Sequence, residues 1–296
     1  MPKNGLNKGQ IYFFLPAIIV ISFIFLIPII NLFKLSFQDI NIEARTTSFV
    51  GLQNYATLLK DNVFIKSVRN NLILISMVVP VLTVLCILFS VLLFECRRDF
   101  KFFQVTIFLP YILSITVVGI LFTILLQKNG PINDILKSIG FGFLAIDWLG
   151  NPRIAILTVG LIIIWKELGF GTTLFLSRLM GISSDLIAAA DIDGANWWRK
   201  VISIYIPHLS GIIFFYITLT IINLFSWVFN YIYVITRGGP GNSTYVFEFF
   251  IYNRVFWYNQ INYASSAAVI VFVSLITVIY FQMRSRAGLD EKRDIW

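Results

Sequence analysis

Charged residues are scarce in this chain, at 13% of its 296 residues, where soluble proteins typically carry about 25%. Apolar residues make up 58% of the sequence, and the mean hydropathy is +0.83. The formal net charge is +8, but the Lys and Arg residues are scattered at the ends of apolar runs and form no basic stripe of the kind that binds nucleic acid. We therefore predict an integral membrane protein with no nucleic-acid partner, in which the basic residues set the topology.

Residues for enzyme chemistry are also lacking. The two cysteines, Cys86 and Cys96, are too few for a disulfide framework and have no partners at metal-ligand spacing. The single histidine, His208, has no partner that would complete an HExxH zinc motif, and the sequence has no Gly-Lys dipeptide to form a phosphate-binding loop. We predict a non-catalytic chain without a metal or cofactor of its own, so that any ATP chemistry would have to come from another subunit.

Long apolar runs are abundant. A membrane-spanning helix needs about 20 predominantly apolar residues, and six such runs occur, at about 11–37, 70–94, 105–126, 154–176, 211–235 and 263–283. The first run is longer than the apolar core of a signal peptide and lacks a cleavage site, so we predict a retained helix. Kinks are predicted at the prolines in or near these runs, which are Pro16, Pro28, Pro80 and Pro110. Residues 1–296 are predicted to form a single all-α transmembrane domain.

Lys and Arg residues outside the runs predict the orientation. They are more numerous on the side that carries the N-terminus, the loops 95–104 and 177–210, and the C-terminal tail, which the positive-inside rule assigns to the cytoplasm. Both termini are therefore predicted to be cytoplasmic. The outer loops, at 38–69, 127–153 and 236–262, have the Gly, Asn, Pro and aromatic content that is typical of turns and short interfacial helices.

One stretch breaks the apolar pattern, since residues 188–210 read AAADIDGANWWRKVISIYIPHLS. Just before it, Ser183 or Ser184 can cap a short helix over about 185–192. Asp185 would lie in the first turn of that helix, where a negative charge complements the positive end of the helix dipole. We therefore predict a first short helix on the cytoplasmic side of the membrane.

A turn and a second short helix are predicted next. Asp193-Gly194 is a turn signal, and Asp193 can cap a helix that passes through the two adjacent tryptophans to about Tyr205. Pro207 is predicted to end that helix before the next span begins. The cytoplasmic loop 177–210 would then hold two short helices joined by a hinge.

The two short helices carry different surfaces. Three consecutive alanines, Ala188–Ala190, make the first one smooth, so that another surface can approach it closely. Trp197, Val201 and Ile204 share one face of the second and could pack against the membrane spans. An interfacial helix that only anchors the loop among lipid headgroups fits the same residues, and helix physics alone does not separate the two alternatives.

The same stretch resembles the EAA loop of binding-protein-dependent ABC importer permeases. The family pattern is E-A-A-x-x-D-G-A followed by I-x-L-P. This chain reads A-A-A-D-I-D-G-A from Ala188 to Ala195 and I-Y-I-P from Ile204 to Pro207. The clear departure is the leading glutamate, which Ala188 replaces.

Three further segments resemble motifs of the carbohydrate-uptake permeases, in the expected order. Residues 49–72 are similar to the G-L-x-N-Y segment that follows the first span, and residues 165–183 to the W-x-x-x-G-F lead into the loop. Residues 234–244 are similar to the T-x-G-G-P motif after the fifth span, with Arg237 where glycine is common. The four matches cover most of the chain, which is identified on them as a member of the carbohydrate-uptake family.

The resemblance implies the type I ABC importer permease fold, with six transmembrane helices. In that family the EAA loop forms a coupling helix that docks in a cleft of the cytoplasmic ATPase. Its coupling residues fall, by position, on Ala188, Ala189, Ala190, Asp193, Gly194, Ala195 and Pro207. The alanines before the turn would form the docking surface and the Asp-Gly pair the hinge. Without the glutamate, docking would rely on shape and apolar contact, or on Asp185 or Asp191.

The resemblance also implies the partners. They would be a second homologous permease subunit, two cytoplasmic ATPase subunits that bind Mg-ATP, an extracellular solute-binding protein and the lipid of a bacterial plasma membrane. Closure of the ATPase pair would drive alternating access and import of a carbohydrate, such as an oligosaccharide. The alternatives are a permease for a sugar phosphate or another non-sugar solute, and an autonomous secondary transporter.

Polar and aromatic residues inside the predicted spans are the candidates for a substrate path. Polar groups are costly in lipid unless they face a cavity or a helix partner, and sugars are bound by aromatic faces with amide and carboxylate groups. The candidate path residues are Glu167, Phe170, Asn223, Phe225, Trp227 and Asn230. Of these, Asn223, Trp227 and Asn230 share one helical face. The amides could instead only join helices, and Lys166 and Glu167 could simply lie at the cytoplasmic interface.

Overall fold

The computed structural model describes residues 8–41, 46–96 and 100–293. Most of these residues are helical. The prediction that both termini are cytoplasmic concerns residues 1–7 and 294–296, which lie outside the described residues.

The first span is a helix with one wide turn. α1 (Lys8–Ile21) continues through a π turn at Ser22–Leu26 into α2 (Ile27–Ser36). Residues Phe14–Ser36 are long and apolar enough to cross a membrane. The predicted span at 11–37 is therefore confirmed as a helix.

A short antiparallel hairpin follows, which the all-α prediction did not include. β1 (Gln38–Asn41) pairs with β2 (Thr46–Phe49), and Gln38 lies opposite Phe49 in the register. β2 contains only β-branched, small polar and aromatic residues, and such residues fit extended backbone well. The pair belongs to the first part of the predicted outer loop 38–69, for which the sequence predicted only turns and short helices.

The second span starts earlier than predicted. α3 (Gln53–Leu58) is followed closely by the long α4 (Asn62–Glu95), where the sequence predicted a start near residue 70. Asp61 caps α4, because its Oδ1 accepts hydrogen bonds from the backbone N–H groups of Val63 and Phe64 at 2.8 and 3.4 Å. The cap satisfies N–H groups that have no partner within the helix.

The third predicted span, 105–126, is broken rather than continuous. α5 (Phe100–Ile112) and α6 (Ile115–Leu125) meet at an angle of 93°. Pro110 removes one backbone donor from the last turn of α5. Ser114 then leaves the helical conformation altogether, with φ −59° and ψ 139°. A kink was expected at Pro110. Because Ser114 has an extended backbone, the helix is interrupted there and not only bent.

The fourth span follows a short helix in the loop 127–153. α7 (Pro131–Ser138) precedes α8 (Ala155–Leu179). α8 packs closely on α5 at Gly169, where a Cβ atom would lie 2.5 Å from the Ile107 carbonyl oxygen and 2.6 Å from Phe108 Cα. Both atoms belong to the backbone of α5, which cannot easily move. Gly169, the glycine of the W-x-x-x-G-F motif, therefore allows α8 and α5 to pack in direct backbone contact.

The loop 177–210 runs into the fifth span without interruption. α9 (Ser184–Ile192) and α10 (Trp197–Lys200) are the two short helices of the loop. A π turn at Val201–Tyr205 joins α10 to α11 (Ile206–Ile235). Residues Trp197–Ile235 therefore form one candidate span.

The prediction that Pro207 ends the second short helix is wrong. Pro207 lies in the first turn of α11, a position at which the missing N–H of proline costs little. The preceding turn is widened, with the Ile206 N–H bonded to the Val201 carbonyl oxygen. The helix accommodates the proline through this π turn and continues beyond it.

The chain ends in a long helix. α12 (Phe247–Phe256) is another short helix of the outer loop, and α13 (Ile261–Arg293) contains the last span. Among the described residues, five helices are long and apolar enough to cross a membrane, and the bent α5–α6 pair raises the number to six. The prediction of a helical membrane protein with six spans is confirmed.

By their internal contacts the helices form two compact units. The first comprises the chain up to Phe64 together with Phe250–Ser274, and the second comprises Ile65–Phe249 with the segment from Leu275 onward. In the second unit, α8 packs against α5 and α11, and α11 also packs against α6. The hydrophobic core of this unit surrounds these contacts. The description of the chain as a single domain stays a prediction.

Candidate functional site

The predicted coupling loop begins with a capped helix. The Ser183 hydroxyl oxygen accepts a hydrogen bond from the Leu186 N–H at 3.4 Å and so caps α9. Asp185 lies exposed in the first turn, where its charge complements the helix dipole. The prediction of a short helix over about 185–192 is confirmed.

The hinge after α9 is a tight turn at Gly194. Gly194 has φ +69°, in the left-handed region that favours glycine, and a Cβ atom there would meet open space. The Ala195 N–H donates to the Ala190 carbonyl oxygen at 2.9 Å and closes the last turn of the helix. The two short helices are therefore separated by a turn that favours glycine.

The second short helix is capped by Asn196 and not by Asp193, which corrects the sequence prediction. The Asn196 Oδ1 accepts a hydrogen bond from the Arg199 N–H at 2.9 Å. A capping side chain reaches the N–H groups two or three residues further along. Because α10 begins at Trp197, Asp193 lies too far back, and it occupies the C-terminal end of α9 instead.

The two faces of the loop differ as predicted. On α9, Ala188 and Ala189 are exposed and Ala190 is half-buried, and the exposed side chain of Ile192 lies one turn beyond Ala188, so this surface is apolar. On the second helix, Val201 is buried, and Trp197 and Ile204 pack half-buried against the core, which leaves the alanines pointing away from it.

An ion pair links the two short helices of the loop. Lys200 Nζ donates to Asp191 Oδ1 at 3.0 Å. Because the Asp191 side chain is 57% exposed, such a pair contributes at most about 1 kcal/mol. Asp191 is therefore engaged inside the loop, while Asp185 offers its carboxylate at the surface.

A buried tyrosine ties this segment to the end of the second span. The Tyr205 hydroxyl donates to Glu95 Oε1 at 3.0 Å, and the Tyr205 ring packs edge-on against Phe94. Tyr205 is almost fully buried. Sequence reasoning missed this contact, because the partners are far apart in the chain, Tyr205 occupies the variable position of the I-x-L-P pattern and Glu95 lies in no motif.

A cavity of about 720 Å³ lies in the second unit between α4, α5, α8 and α11, within the range of about 300–1,000 Å³ that is typical of ligand sites. Its lining is mainly apolar with several rings and a few polar groups. The aromatic lining residues are Phe108, Tyr111, Phe170, Tyr216, Trp227 and Tyr231, and the polar ones are Lys166, Glu167, Thr220 and Asn223.

The structure brings together four of the six predicted path residues, Glu167, Phe170, Asn223 and Trp227. Among the described residues that line the cavity, Phe225 and Asn230 do not appear. Phe225 lies on the opposite face of α11, where its ring centroid is 5.2 Å from that of Phe247. Asn230 is half-buried at the edge of the lining face, and its neighbour Tyr231 contributes instead.

Lys166 is a buried cation next to the break in the third span. Its ammonium group donates to the Tyr111 carbonyl oxygen at 3.1 Å and lies 5.2 Å from the centroid of the Tyr111 ring. That carbonyl belongs to the last turn of α5, where carbonyls lack helical partners and a positive charge is favourable. With 5% of its surface exposed, midway along α8, Lys166 does not fit an interfacial position.

Glu167 is the more accessible member of the adjacent pair. Its Oε1 lies 3.6 Å from Lys166 Nζ and accepts a hydrogen bond from the Tyr231 hydroxyl at 2.9 Å. The Glu167 side chain is 26% exposed, compared with 6% for Lys166. The carboxylate therefore faces the cavity, and the ammonium group lies behind it.

Aromatic faces are available around these polar groups. The rings of Tyr111 and Phe170 stack with centroids 5.2 Å apart, and Trp227 is 55% exposed. Sequence reasoning missed Tyr111, because a continuous third span hides the break that turns it toward α8. Tyr216 and Thr220 were also missed, although they share the α11 face of Asn223 by helical spacing.

The outer G-G-P segment is held by α4. Asn70 Nδ2 donates to the carbonyl oxygens of Asn242 and Tyr245 at 3.3 and 2.9 Å. The amide of Asn71 donates weakly to the Glu248 carboxylate at 3.4 Å. Burial raises the pKa of Glu248 to about 8, against the lowering effect of its hydrogen bonds. Asn70 and Asn71 of α4 thus hold the segment 242–248 through hydrogen bonds across a long sequence separation.

Comparisons with known proteins agree with these features, although no protein-family model matches the chain. The chain is 30% identical over 295 residues to "Probable ABC transporter permease protein YurN" of Bacillus subtilis, covering 96% of this chain and 99% of that protein. It is also 30% identical over 287 residues to the arabinooligosaccharides transport system permease protein AraP of Bacillus subtilis (94% and 88% covered). The same identity extends over 274 residues of the lactose transport system permease protein LacF of Rhizobium radiobacter (91% and 90% covered).

Two crystal structures share the fold. A chain from a bacterial ABC transporter involved in the import of the acidic polysaccharide alginate matches with a TM-score of 0.81 and 23% identity over 93% of both chains. The bacterial alginate ABC transporter in complex with an alginate pentasaccharide-bound periplasmic protein matches with a TM-score of 0.79 and 24% identity, over 92% of this chain and 91% of that chain. These structures confirm the ABC importer permease fold, and the sequence relatives extend over nearly the whole chain. This multi-pass membrane protein therefore belongs to the family of ABC sugar importer permeases.

Proposed function

We propose that this chain is the permease subunit of an ATP-driven carbohydrate importer in a bacterial plasma membrane. The observation that carries the proposal is the cavity, in which aromatic faces lie beside hydrogen-bonding groups. Sugars present both apolar C–H faces and hydroxyl groups, so they need both kinds of partner. Two relatives are named as permeases of arabinooligosaccharide and lactose transport systems, and these names support the same substrate class.

The placement of individual groups suits a sugar. Trp227, with 55% of its surface exposed, offers a ring face for stacking. Asn223 and Thr220 come from successive turns of the same helix and supply amide and hydroxyl groups. Glu167 supplies a carboxylate acceptor. In this proposal these residues bind the sugar transiently during transport, and none performs a chemical step.

The loop at 184–205 would couple the permease to ATP hydrolysis. Its exposed alanines, with Ile192 beside them, would offer an apolar surface to a cleft of a cytoplasmic ATPase, and the turn at Gly194 separates its two short helices. Two ATPase subunits would hold the Mg-ATP, so that this chain binds no cofactor itself. A second, homologous permease subunit would complete the pathway, and an extracellular solute-binding protein would deliver the sugar.

A hinge substitution tests this proposal. The chain is co-expressed with its partner permease, ATPase and binding protein, and the complex is purified with either Gly194→Asp or Gly140→Asp. Gly140 is a matched control, because it also has a positive φ, +85°, and open space around the position of a Cβ atom, but it lies in an outer loop. Aspartate tolerates this backbone conformation better than most residues, so both variants are expected to fold.

We expect Gly194→Asp to lower ATPase co-purification at least tenfold while the two permease subunits stay together, and Gly140→Asp to behave as the wild type. If Gly194→Asp retains the ATPase and transports normally, the coupling role of this loop is refuted. If no ATPase co-purifies with the wild type, the importer assignment itself fails.

A further inference from the structure

The charge that the cavity presents to a solute is negative. Among the described lining residues, the only charged side chains are Lys166 and Glu167. The Lys166 ammonium is buried, and its contacts are the Tyr111 carbonyl oxygen, the Tyr111 ring and the Glu167 carboxylate. Since 26% of the Glu167 side chain is exposed and only 6% of the Lys166 side chain, a solute meets the carboxylate first.

The two carboxylate oxygens of Glu167 have different surroundings. Oε1 accepts the Tyr231 hydroxyl at 2.9 Å and is the oxygen nearest to Lys166 Nζ, at 3.6 Å. No donor from the described residues reaches Oε2. A solute hydroxyl can donate to that oxygen, whereas a solute carboxylate or phosphate would lie against it without a proton to share.

The cation behind Glu167 does not compensate for this repulsion. An anionic group could reach Lys166 only by displacing Glu167 and by withdrawing the ammonium from the carbonyl at the end of α5. Both displacements leave charged or polar groups without partners in a region of low dielectric constant, where this is most costly. Like charges also repel more strongly there than in water.

We propose that Glu167 makes this cavity selective for neutral, hydroxyl-rich sugars and excludes sugars that carry a carboxylate or a phosphate. This inference rests on the proposed function and goes further by naming the charge class of the substrate and the residue that sets it. The Glu167 carboxylate discriminates between the two classes because an anionic sugar would leave it without a hydrogen-bond donor. The likeness to an importer of an acidic polysaccharide, at 23% identity, is a likeness of fold and carries no argument about the charge of this chain's substrate.

The test compares sugars of the same skeleton that differ in charge. The complex of both permease subunits and the ATPases is placed in nanodiscs, without the binding protein, so that only the permease selects. Binding of trehalose and trehalose 6-phosphate, and of α-1,4-galactobiose and digalacturonate, is measured by saturation-transfer NMR and competition. The variants are Glu167→Gln, which keeps the size and a hydrogen-bond acceptor, Trp227→Ala, and the control Glu248→Gln, whose carboxyl is buried outside the cavity.

We expect the wild type and Glu248→Gln to bind each neutral sugar at least tenfold more tightly than its anionic counterpart. Glu167→Gln should remove most of that ratio, chiefly by strengthening anion binding, because the Lys166 charge is then no longer neutralised. If the wild type binds both classes equally, or if the ratio is unchanged in Glu167→Gln, the charge selection is refuted while sugar binding in the cavity stands. If no sugar binds the wild type, or Trp227→Ala changes nothing, the cavity is not a sugar site, and the proposed function fails together with this inference.

Discussion

Replacement of Lys166 by methionine tests the role of the buried cation at the broken span. Methionine fills a similar volume but cannot donate to the Tyr111 carbonyl oxygen, which the ammonium reaches at 3.1 Å. A polar backbone group that loses its partner in a buried position costs about 1–3 kcal/mol. Glu167 loses its counter-ion as well, but its partial exposure reduces that cost to about 1 kcal/mol. We expect a total loss of about 3 kcal/mol in the free energy of unfolding.

This loss is large enough to measure as a shift in thermal stability. For a protein of this size, 1 kcal/mol corresponds to about 2–4 °C, so Lys166→Met should lower the apparent Tm by about 6–12 °C in a detergent-based unfolding assay. The matched control is Lys137→Met, because Lys137 pairs with Asp134 at 3.7 Å and its side chain is 53% exposed. Such a surface pair contributes about 0–1 kcal/mol, and the control should shift by no more than a few degrees.

A double variant separates the two contributions. Lys166→Met combined with Glu167→Gln removes the unpaired carboxylate but leaves the carbonyl without its donor, so it should recover about a third of the lost stability. If Lys166→Met shifts the Tm no more than Lys137→Met does, the ammonium does not support the break. The 93° bend between α5 and α6 must then depend on Pro110 and Ser114 alone.

Two further predictions concern burial of a carboxyl group and close helix packing. Burial raises the pKa of Glu248 from 4.5 to about 8, so between these pH values the folded state holds a proton that the unfolded state releases. The contribution of this group to stability is therefore fully present below about pH 4.5 and is lost as pH rises to about 8. Glu248→Gln should abolish that decline and unfold at a higher temperature than the wild type at pH 9, but not at pH 5; parallel pH profiles of Tm would contradict the burial argument. Gly169→Ala should cost about 1–3 kcal/mol, because its Cβ would lie 2.5 Å from the Ile107 carbonyl oxygen, whereas Gly160→Ala in the same helix meets the flexible Met77 side chain at 3.2 Å and should cost less. Equal Tm shifts for the two alanine variants would show that α5 moves away easily.

Hydropathy and capping signals predict most of the helices but not how they are interrupted. The number of spans follows from the apolar runs, and α9 follows from the Ser183 cap and the turn at Gly194. The break in the third span does not follow, because a proline such as Pro110 is compatible with a kink or a break. One contact that accompanies the break is the hydrogen bond from Lys166, which is 55 residues away in the chain. A contact of that kind is invisible to local patterns.

The limits of local sequence patterns also explain why only part of the cavity lining was predicted. Helical spacing placed Asn223 and Trp227 on one face correctly, since that relation is local. It did not show where the cavity ends, so Asn230 was included and Tyr231 was not. Tyr111 required knowledge of the broken span, and Phe225 was chosen as an aromatic residue without regard to its position on the opposite face of the helix.

The continuity of the fifth span gives a physical route from the loop 177–210 to the cavity. Residues Trp197–Ile235 form one candidate span, in which Trp197 packs near the loop and Trp227 lines the cavity. At about 1.5 Å per residue, these two tryptophans are separated by about 45 Å along a hydrogen-bonded rod. Under the proposed function, a displacement of the loop by an ATPase would therefore be carried along the helix axis into the cavity. The π turn at Val201–Tyr205 is the point where such a rod could yield, and the Tyr205 hydroxyl bond to Glu95 fixes that point to the end of the second span. Since α11 also packs against α8, such a displacement would shift Trp227 relative to the other helix that supplies polar groups to the cavity.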